Sequence, residues 1–155
     1  MKSSIKTIFL AGIIAGFLDG ITAVIIPGKM NFSGVFKFVA SGIFGKDASV
    51  GGGVMVLYGI IIHFTIAITF AFVYYFSFFR LKFFQKNKFI GGLVYGIFVW
   101  GIMNLVLLPF TNIQQRPFNE TELIQGILIL MICIGLPISL VINYVKNSHF
   151  KSNFF

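Results

Sequence analysis

The chain has 155 residues, of which 57% are hydrophobic and 10% are charged, and its formal net charge is +8. Because soluble domains carry about 25% charged residues, this composition excludes a water-soluble globular protein. It predicts an integral membrane protein of the all-α class. The single cysteine, Cys133, excludes disulfide bonds and cysteine-based metal sites within one chain.

Four apolar segments are long enough to cross a bilayer as helices, and they cover residues 5–27, 52–79, 89–110 and 123–145. An α-helix rises ~1.5 Å per residue, so about 20 apolar residues cross the hydrocarbon core. The first segment is longer than the apolar region of a signal peptide, and we expect it to be retained as a span. The segments predict a four-helix transmembrane bundle that forms one integral membrane domain over residues 1–155.

The stretch at residues 32–44 separates the first two spans and is too short to cross a membrane. Its apolar residues recur near helical spacing and are interrupted by Ser33, Lys37 and Ser41, which predicts a short amphipathic helix at the interface. Residues 51–53 are all glycine and let the chain turn into the second span. Two roles stay open for this helix: a connector that lies along the membrane, and a lid or gate over a site.

Lysine and arginine residues are distributed unevenly between the two sides of such a bundle. Eight of the twelve fall near the chain ends and in the basic stretch 80–88, whereas the opposite side has Lys29, Lys37, Lys46 and Arg116. The positive-inside rule then places the N- and C-termini of this multi-pass protein in the cytoplasm. The same rule explains the basic stretch, so no nucleic-acid partner is expected.

Three polar side chains interrupt the spans in the predicted outer half of the bilayer. From the helix rise, Asp19 lies roughly 12 Å below the outer surface, His63 roughly 15 Å and Asn104 roughly 8 Å. An ionised aspartate near the midplane costs about 2.5–3.5 kcal/mol, so a buried acid stays protonated or finds a partner. We predict that Asp19, His63 and Asn104 form one intramembrane polar cluster in which the acid and the imidazole titrate together. The alternative for each is a structural hydrogen bond between helices, worth about 0.6 kcal/mol on average.

Glycines at four-residue spacing predict faces at which helices approach closely. The glycines in question are Gly12, Gly16 and Gly20 in the first span, and Gly92 and Gly96 in the third. Asp19 lies beside the first of these ridges, so we expect it to face a helix rather than lipid. We also expect the ridges to support a homo-oligomer or the binding of a membrane partner protein.

Pro137 lies within the fourth span, between Gly135 and Ser139. Proline lacks a backbone N–H and its ring collides with the preceding turn of a helix. The residue therefore predicts a kink, which can serve as a hinge.

No catalytic motif occurs in the sequence, which contains no H-E-x-x-H, G-x-S-x-G or P-loop pattern. Close to His63 in the sequence, only Thr65 and Thr69 could act as nucleophiles. We therefore expect no enzymatic activity, no cofactor and no metal ion.

From about Leu57 onward, the order of landmarks resembles the YagU-type family of small bacterial inner-membrane proteins. The similar stretches are YGIIIHFTIAITFAFVYYF, a basic loop, GGLVYGIFVWGIMNLVLLPF, a polar loop and TELIQGILIL. The residues that carry the resemblance are His63, Tyr74, Gly92, Pro109, Glu122 and Gly126. The chain lacks the family's aromatic-rich, charged extension after the last span and has a shorter outer loop. The resemblance implies a membrane fold but no particular activity, and no site residue is carried over from it.

Three functions are compatible with these patterns. The first is a small transport-related or proton-responsive membrane protein in which Asp19 and His63 form the titrating pair. The alternative is a non-transporting scaffold or accessory subunit that acts through residues 32–44 and the glycine ridges. A third alternative, an intramembrane enzyme, would depend on His63.

Overall fold

A computed structural model describes residues 2–26, 31–113 and 119–152, with side chains described for residues 4–26, 31–113 and 119–146. The predicted end of the first span at Pro27 lies outside these residues. The same is true of Lys29 and Arg116, which entered the prediction of orientation.

The described residues form helices joined by short turns. They are α1 (Lys2–Ile25), α2 (Phe32–Phe44), α3 (Asp47–Val50), α4 (Gly52–Arg80), α5 (Lys82–Lys86), α6 (Lys88–Gly101), α7 (Glu120–Ile129) and α8 (Leu136–Ser152). Helix α6 continues as a π-helix (Ile102–Leu107) and a 3-10 turn (Leu108–Phe110), and a second π-helix (Leu130–Gly135) joins α7 to α8. No strand occurs in the described part of the chain, and the predicted all-α class is confirmed.

Four of these helical stretches are long and apolar enough to cross a membrane. We name them span 1 (Ser4–Ile25), span 2 (Gly52–Arg80), span 3 (Lys88–Phe110) and span 4 (Glu120–Lys146). Only 17–33% of the residues in their most apolar windows are buried inside the chain, so most of the apolar surface faces outward. Such a surface is stable in lipid and costly in water, as expected for a multi-pass membrane protein.

Helix α2 has the predicted bounds, and the Oδ1 atom of Asn31 caps its start by accepting a hydrogen bond from the N–H of Gly34 at 2.8 Å. Two glycines with left-handed backbone angles then reverse the chain. Gly45, with φ 59°, ends α2, and Gly52, with φ 53°, begins α4. These angles are unfavourable for other residues, so the glycines fix how α2 folds back onto span 2.

Span 1 packs against span 2 along its glycine face. A Cβ atom added at Gly12 would lie 2.6 Å from the Cα atom of Ile68, and one at Gly16 would lie 2.9 Å from the ring of Phe64. The backbones of the two spans therefore lie closer together than any side chain larger than hydrogen would allow. This face is covered by a helix of the same chain and is not open to a second copy.

Span 3 packs against span 4 in the same way. A Cβ atom at Gly92 would lie 3.0 Å from the carbonyl oxygen of Gly135, and one at Gly96 would lie 2.8 Å from the backbone N of Met131. Span 4 also packs against span 1, so it lies between spans 1 and 3. The second glycine ridge is thus also buried within the bundle.

Both π-helices precede a proline. The first ends at Leu107, two residues before Pro109, and the second ends at Gly135, two residues before Pro137. A proline cannot donate to the carbonyl one turn earlier and its ring collides with that carbonyl, whereas a π-helix widens the turn and relieves the collision. The irregularity that Pro137 predicts in the fourth span is therefore present as a π-helix, and its role as a hinge stays a prediction.

Replacing Gly96 with alanine tests the packing of span 3 on span 4. We expect G96A to lower the free energy of unfolding by about 1–3 kcal/mol, because its methyl group would overlap the backbone of span 4. Gly101 is a matched control on the same span, since a Cβ atom there meets nothing within 4 Å. Unfolding of both variants in mixed micelles would be measured, and equal stability of G96A and G101A would contradict the packing described.

Candidate functional site

The imidazole of His63 in span 2 points at the backbone of span 1. Its Nε2 atom lies 2.9 Å from the carbonyl oxygen of Gly16. A carbonyl oxygen can only accept a hydrogen bond, so Nε2 must carry the proton in this contact. The other ring nitrogen, Nδ1, is then the atom at which His63 accepts a hydrogen bond or takes up a second proton.

Asp19 lies on span 1 within one turn of Gly16, whose carbonyl group contacts His63. No hydrogen bond or ion pair joins the Asp19 carboxyl group to another residue within the described ranges. A Cβ atom at Gly20 would lie 3.4 Å from the His63 Nε2 atom, so this part of span 1 faces the imidazole. Asp19 and His63 therefore lie at the same contact between spans 1 and 2, with no described hydrogen bond or ion pair between them.

Two phenyl rings enclose the imidazole. The ring of Phe64 lies 5.5 Å from the His63 ring, and the ring of Phe36 lies 5.7 Å from it, both at nearly perpendicular angles. Phe64 comes from the same helix, whereas Phe36 is a buried residue of α2. The rings cover part of the imidazole, and His63 remains partly exposed.

Asn104 takes no part in this pair. Its Nδ2 atom donates to the carbonyl oxygen of Trp100 at 3.0 Å, one turn earlier in its own span. Asn104 lies within the first π-helix, where the wider turn changes the set of backbone hydrogen bonds. Its amide thus acts within span 3, and the structure does not bring it to Asp19 and His63.

A second contact near the pair joins span 1 to span 4. The Thr22 hydroxyl donates to the carbonyl oxygen of Leu18 at 2.8 Å and lies 3.3 Å from the Sγ atom of Cys133. Since the hydroxyl proton is used on Leu18, the thiol is the donor in the second contact. Cys133 belongs to the second π-helix, so this irregular turn touches span 1 one turn beyond Asp19.

A buried polar network that the sequence analysis missed lies at the other end of the bundle. The Tyr74 hydroxyl lies 2.7 Å from the Ser139 Oγ atom, which itself donates to the Lys88 carbonyl oxygen at 2.6 Å. Asn143 donates to the carbonyl oxygen of Ser139 at 2.9 Å. The four-residue spacing of Ser139 and Asn143 in an apolar span was the available signal, because it places both on one face.

A neighbouring set of contacts holds Lys146 at this end. Its Nζ atom donates to the Tyr75 hydroxyl and lies 4.7 Å from the ring centroid of Phe79. The Tyr75 hydroxyl in turn donates to the Ser4 Oγ atom at 2.7 Å, which joins the beginning of span 1 to span 2. An aromatic ring and a hydroxyl thus stabilise the ammonium group.

Apolar side chains separate the Asp19–His63 pair from these networks. Ala11 and Ala15 on span 1 and Ala71 on span 2 are fully buried, and they lie between the two polar levels along their helices. No group of three His, Cys, Asp or Glu residues that could hold a metal ion occurs in the described ranges. The chemistry open to the pair is the exchange of a proton.

Comparison of the chain with protein-family models, curated proteins and solved structures finds no match. The resemblance of residues 57–130 to the YagU-type family therefore stays a prediction from the sequence.

Nitrogen NMR of the protein labelled with nitrogen-15 histidine tests the assigned tautomer. We expect neutral His63 to carry its proton on Nε2, because that atom donates to Gly16. The signal is assigned by its loss in H63Q, which is needed because the chain has two histidines. Observation of the Nδ1-protonated tautomer would contradict the hydrogen bond between His63 and Gly16.

Replacing Ser139 with alanine tests the buried network. We expect S139A to lower the free energy of unfolding by about 1–3 kcal/mol, because the hydroxyl of Tyr74 loses its buried partner. Ser77 is a matched control, since its hydroxyl donates to the carbonyl oxygen of Val73 in the same helix. The two variants would be compared by thermal unfolding in detergent, and a loss in S77A as large as in S139A would argue against the network.

Proposed function

We propose that this chain is a proton-responsive, transport-related membrane protein in which Asp19 and His63 take up and release a proton as a pair. The observation that carries the proposal is their placement on adjoining spans, with His63 Nε2 committed to Gly16 and the carboxyl group free of hydrogen bonds within the described ranges. The proton is then held either at the His63 Nδ1 atom or at the Asp19 carboxylate.

The energetics of the membrane support a functional pair. An ionised carboxylate near the centre of a bilayer costs about 2.5–3.5 kcal/mol, whereas a helix contact can be made by apolar residues at no such cost. Spans 1 and 2 already pack through glycines, so Asp19 is not required to hold them together. Retention of an acid beside an imidazole is better explained by proton exchange than by helix packing.

Few other titratable groups lie on the elements packed around the pair. Lys37 on α2 donates its Nζ proton to the carbonyl oxygen of Ser49, and Tyr58 on span 2 packs its ring against Phe44. On span 4, the thiol of Cys133 contacts Thr22. These groups are engaged elsewhere, so we assign the proton exchange to Asp19 and His63.

The direction of exchange follows from the surroundings of the pair. The buried layer that includes Ala11, Ala15 and Ala71 separates the pair from the Tyr74–Ser139–Asn143 network. Protons would therefore reach the pair from the end of the bundle that carries α2. Transport across the membrane would require a second conformation in which the pair opens toward the other end.

The distribution of charge supports an orientation for this exchange. The described basic residues near the end opposite α2 are Lys6, Arg80, Lys82, Lys86, Lys88 and Lys146, whereas the acids outside the spans' interior are Asp47, Glu120 and Glu122. By the positive-inside rule, both termini would lie on the cytoplasmic side of a bacterial inner membrane. The pair would then exchange protons with the external side.

The alternative of a scaffold has less support. It relied on α2 and the glycine ridges, but both ridges pack within the chain, and α2 packs on span 2 through one face while Phe32, Phe38 and Ile43 stay exposed. A homo-oligomer or a membrane partner would therefore bind at another, lipid-facing surface. The proton-responsive function is the one proposed because it uses groups that the fold brings together.

Reconstituted protein in vesicles tests the proposed function. We expect the protection of span 1 and span 2 amides from hydrogen–deuterium exchange, corrected for the intrinsic pH dependence of amide exchange, to change between about pH 5 and about pH 8. Infrared difference spectra over the same range should contain carboxyl and imidazole bands. The carboxyl band of Asp19 should disappear in D19N and the imidazole band of His63 in H63Q, and the pH-dependent change in protection should disappear in both variants.

The matched control is D47N, which removes the same charge from an exposed position at the start of α3. This variant should keep the response of the unchanged protein. A pH-sensitive dye inside the vesicles measures proton flux in the same samples. A pH response that is the same in D19N, H63Q and D47N would overturn the proposal.

A further inference from the structure

Helix α2 lies on span 2 through a direct backbone contact. A Cβ atom at Gly59 would overlap the carbonyl group of Phe36, so the two backbones touch at this point. Phe36 is 5% exposed and Ala40, one turn later, is fully buried. The contact sets the height at which the side chain of Phe36 enters the bundle.

That side chain lies against the imidazole of His63. The ring of Phe36 meets the His63 ring at a centroid distance of 5.7 Å and would lie 3.7 Å from a Cβ atom at Gly20. It therefore spans the gap between spans 1 and 2 beside the imidazole. Movement of α2 away from span 2 would withdraw this ring and open the imidazole to its surroundings.

A polar latch holds the far end of α2. The backbone N–H of Asn112, in the loop after span 3, donates to the Gly42 carbonyl oxygen at 3.0 Å. The Nδ2 atom of Asn112 donates to the Ile43 carbonyl oxygen at 2.9 Å. Carbonyl groups in the last turn of a helix have no partner within the helix, so Asn112 satisfies two of them from outside.

The segment that joins α2 to span 2 allows α2 to move. Lys37 donates to the carbonyl oxygen of Ser49, which ties α2 to α3 as one unit. Span 2 begins at Gly52, whose φ of 53° is accessible to glycine at little cost. A change of backbone angles there would swing α2 and α3 together.

We propose that α2 is a lid over the Asp19–His63 pair, that Phe36 is the residue that closes it, and that Asn112 is its latch. The lid controls how fast water and reagents reach His63. The importance of this control for proton exchange rests on the proposed function, whereas the opening of the lid does not. Phe36 and Asn112 are thus positioning residues for the site.

The rate at which diethyl pyrocarbonate acylates His63, followed by mass spectrometry of the reconstituted full chain, tests the lid. The reagent attacks an unprotonated ring nitrogen and requires no proton transport. We expect N112A to increase the rate roughly fivefold, the factor expected for one lost hydrogen bond. The F36A variant should increase it as well, because the covering ring is removed.

A reversible lock provides the complementary measurement. Phe44 and Tyr58 have ring centroids 5.2 Å apart, so a short methanethiosulfonate crosslinker can join F44C to Y58C in a C133S background. Crosslinking should slow the acylation of His63 by roughly tenfold or more, as expected when access requires the opening of a packed element. Reduction of the crosslink should restore the original rate.

The matched control for the latch is N119A, since the Asn119 side chain caps α7 and has no described contact with α2. Acylation rates that are equal in N112A, N119A and the locked protein would overturn the lid. If a variant loses its helical circular dichroism, the crosslinked protein is used in its place. The F44C and Y58C substitutions replace no buried residue. If the pH response fails but the lock still slows acylation, only the proposed function is lost.

Discussion

The close approach of span 1 to span 2 is the contact on which the candidate site depends. Because Gly12 and Gly16 have no side chain, the backbones come near enough for the His63 Nε2 atom to reach the Gly16 carbonyl oxygen. This hydrogen bond commits one ring nitrogen and leaves the other without a described hydrogen-bond partner. A methyl group at either glycine would push the helices apart and separate His63 from the Gly16 carbonyl oxygen. The contact of His63 with span 1 is thus a direct result of how these two helices pack.

The membrane explains why polar groups are grouped at two levels. Lipid offers no hydrogen bonds, so Tyr74, Ser139 and Asn143 satisfy one another within the bundle. The Asp19–His63 pair differs, because the carboxyl group has no hydrogen-bond partner within the described ranges. The two levels therefore differ in how completely their polar groups are hydrogen-bonded within the described ranges.

Helical periodicity predicted part of the site and failed at an identifiable point. It placed Asp19 beside the glycine ridge of span 1 and His63 at a similar depth, and His63 contacts that ridge at Gly16. It also placed Asn104 on the face of span 3 that joins the cluster, on the assumption of a regular α-helical step. A π-helix begins at Ile102, and its smaller rotation per residue moves later side chains off that face. The proline that follows it was visible in the sequence, but the wider turn before it was not anticipated.

The sequence by itself determined the class of the protein, the four spans and the bounds of α2. Those properties depend on the composition and length of single segments, because transfer into lipid is a sum over neighbouring residues. Only the tertiary structure decided which helix covers each glycine ridge, which carbonyl group binds His63, and that Phe36 lies against the His63 ring. These contacts join residues far apart in the chain. Their pairing depends on close packing among all the helices at once, which no single segment contains.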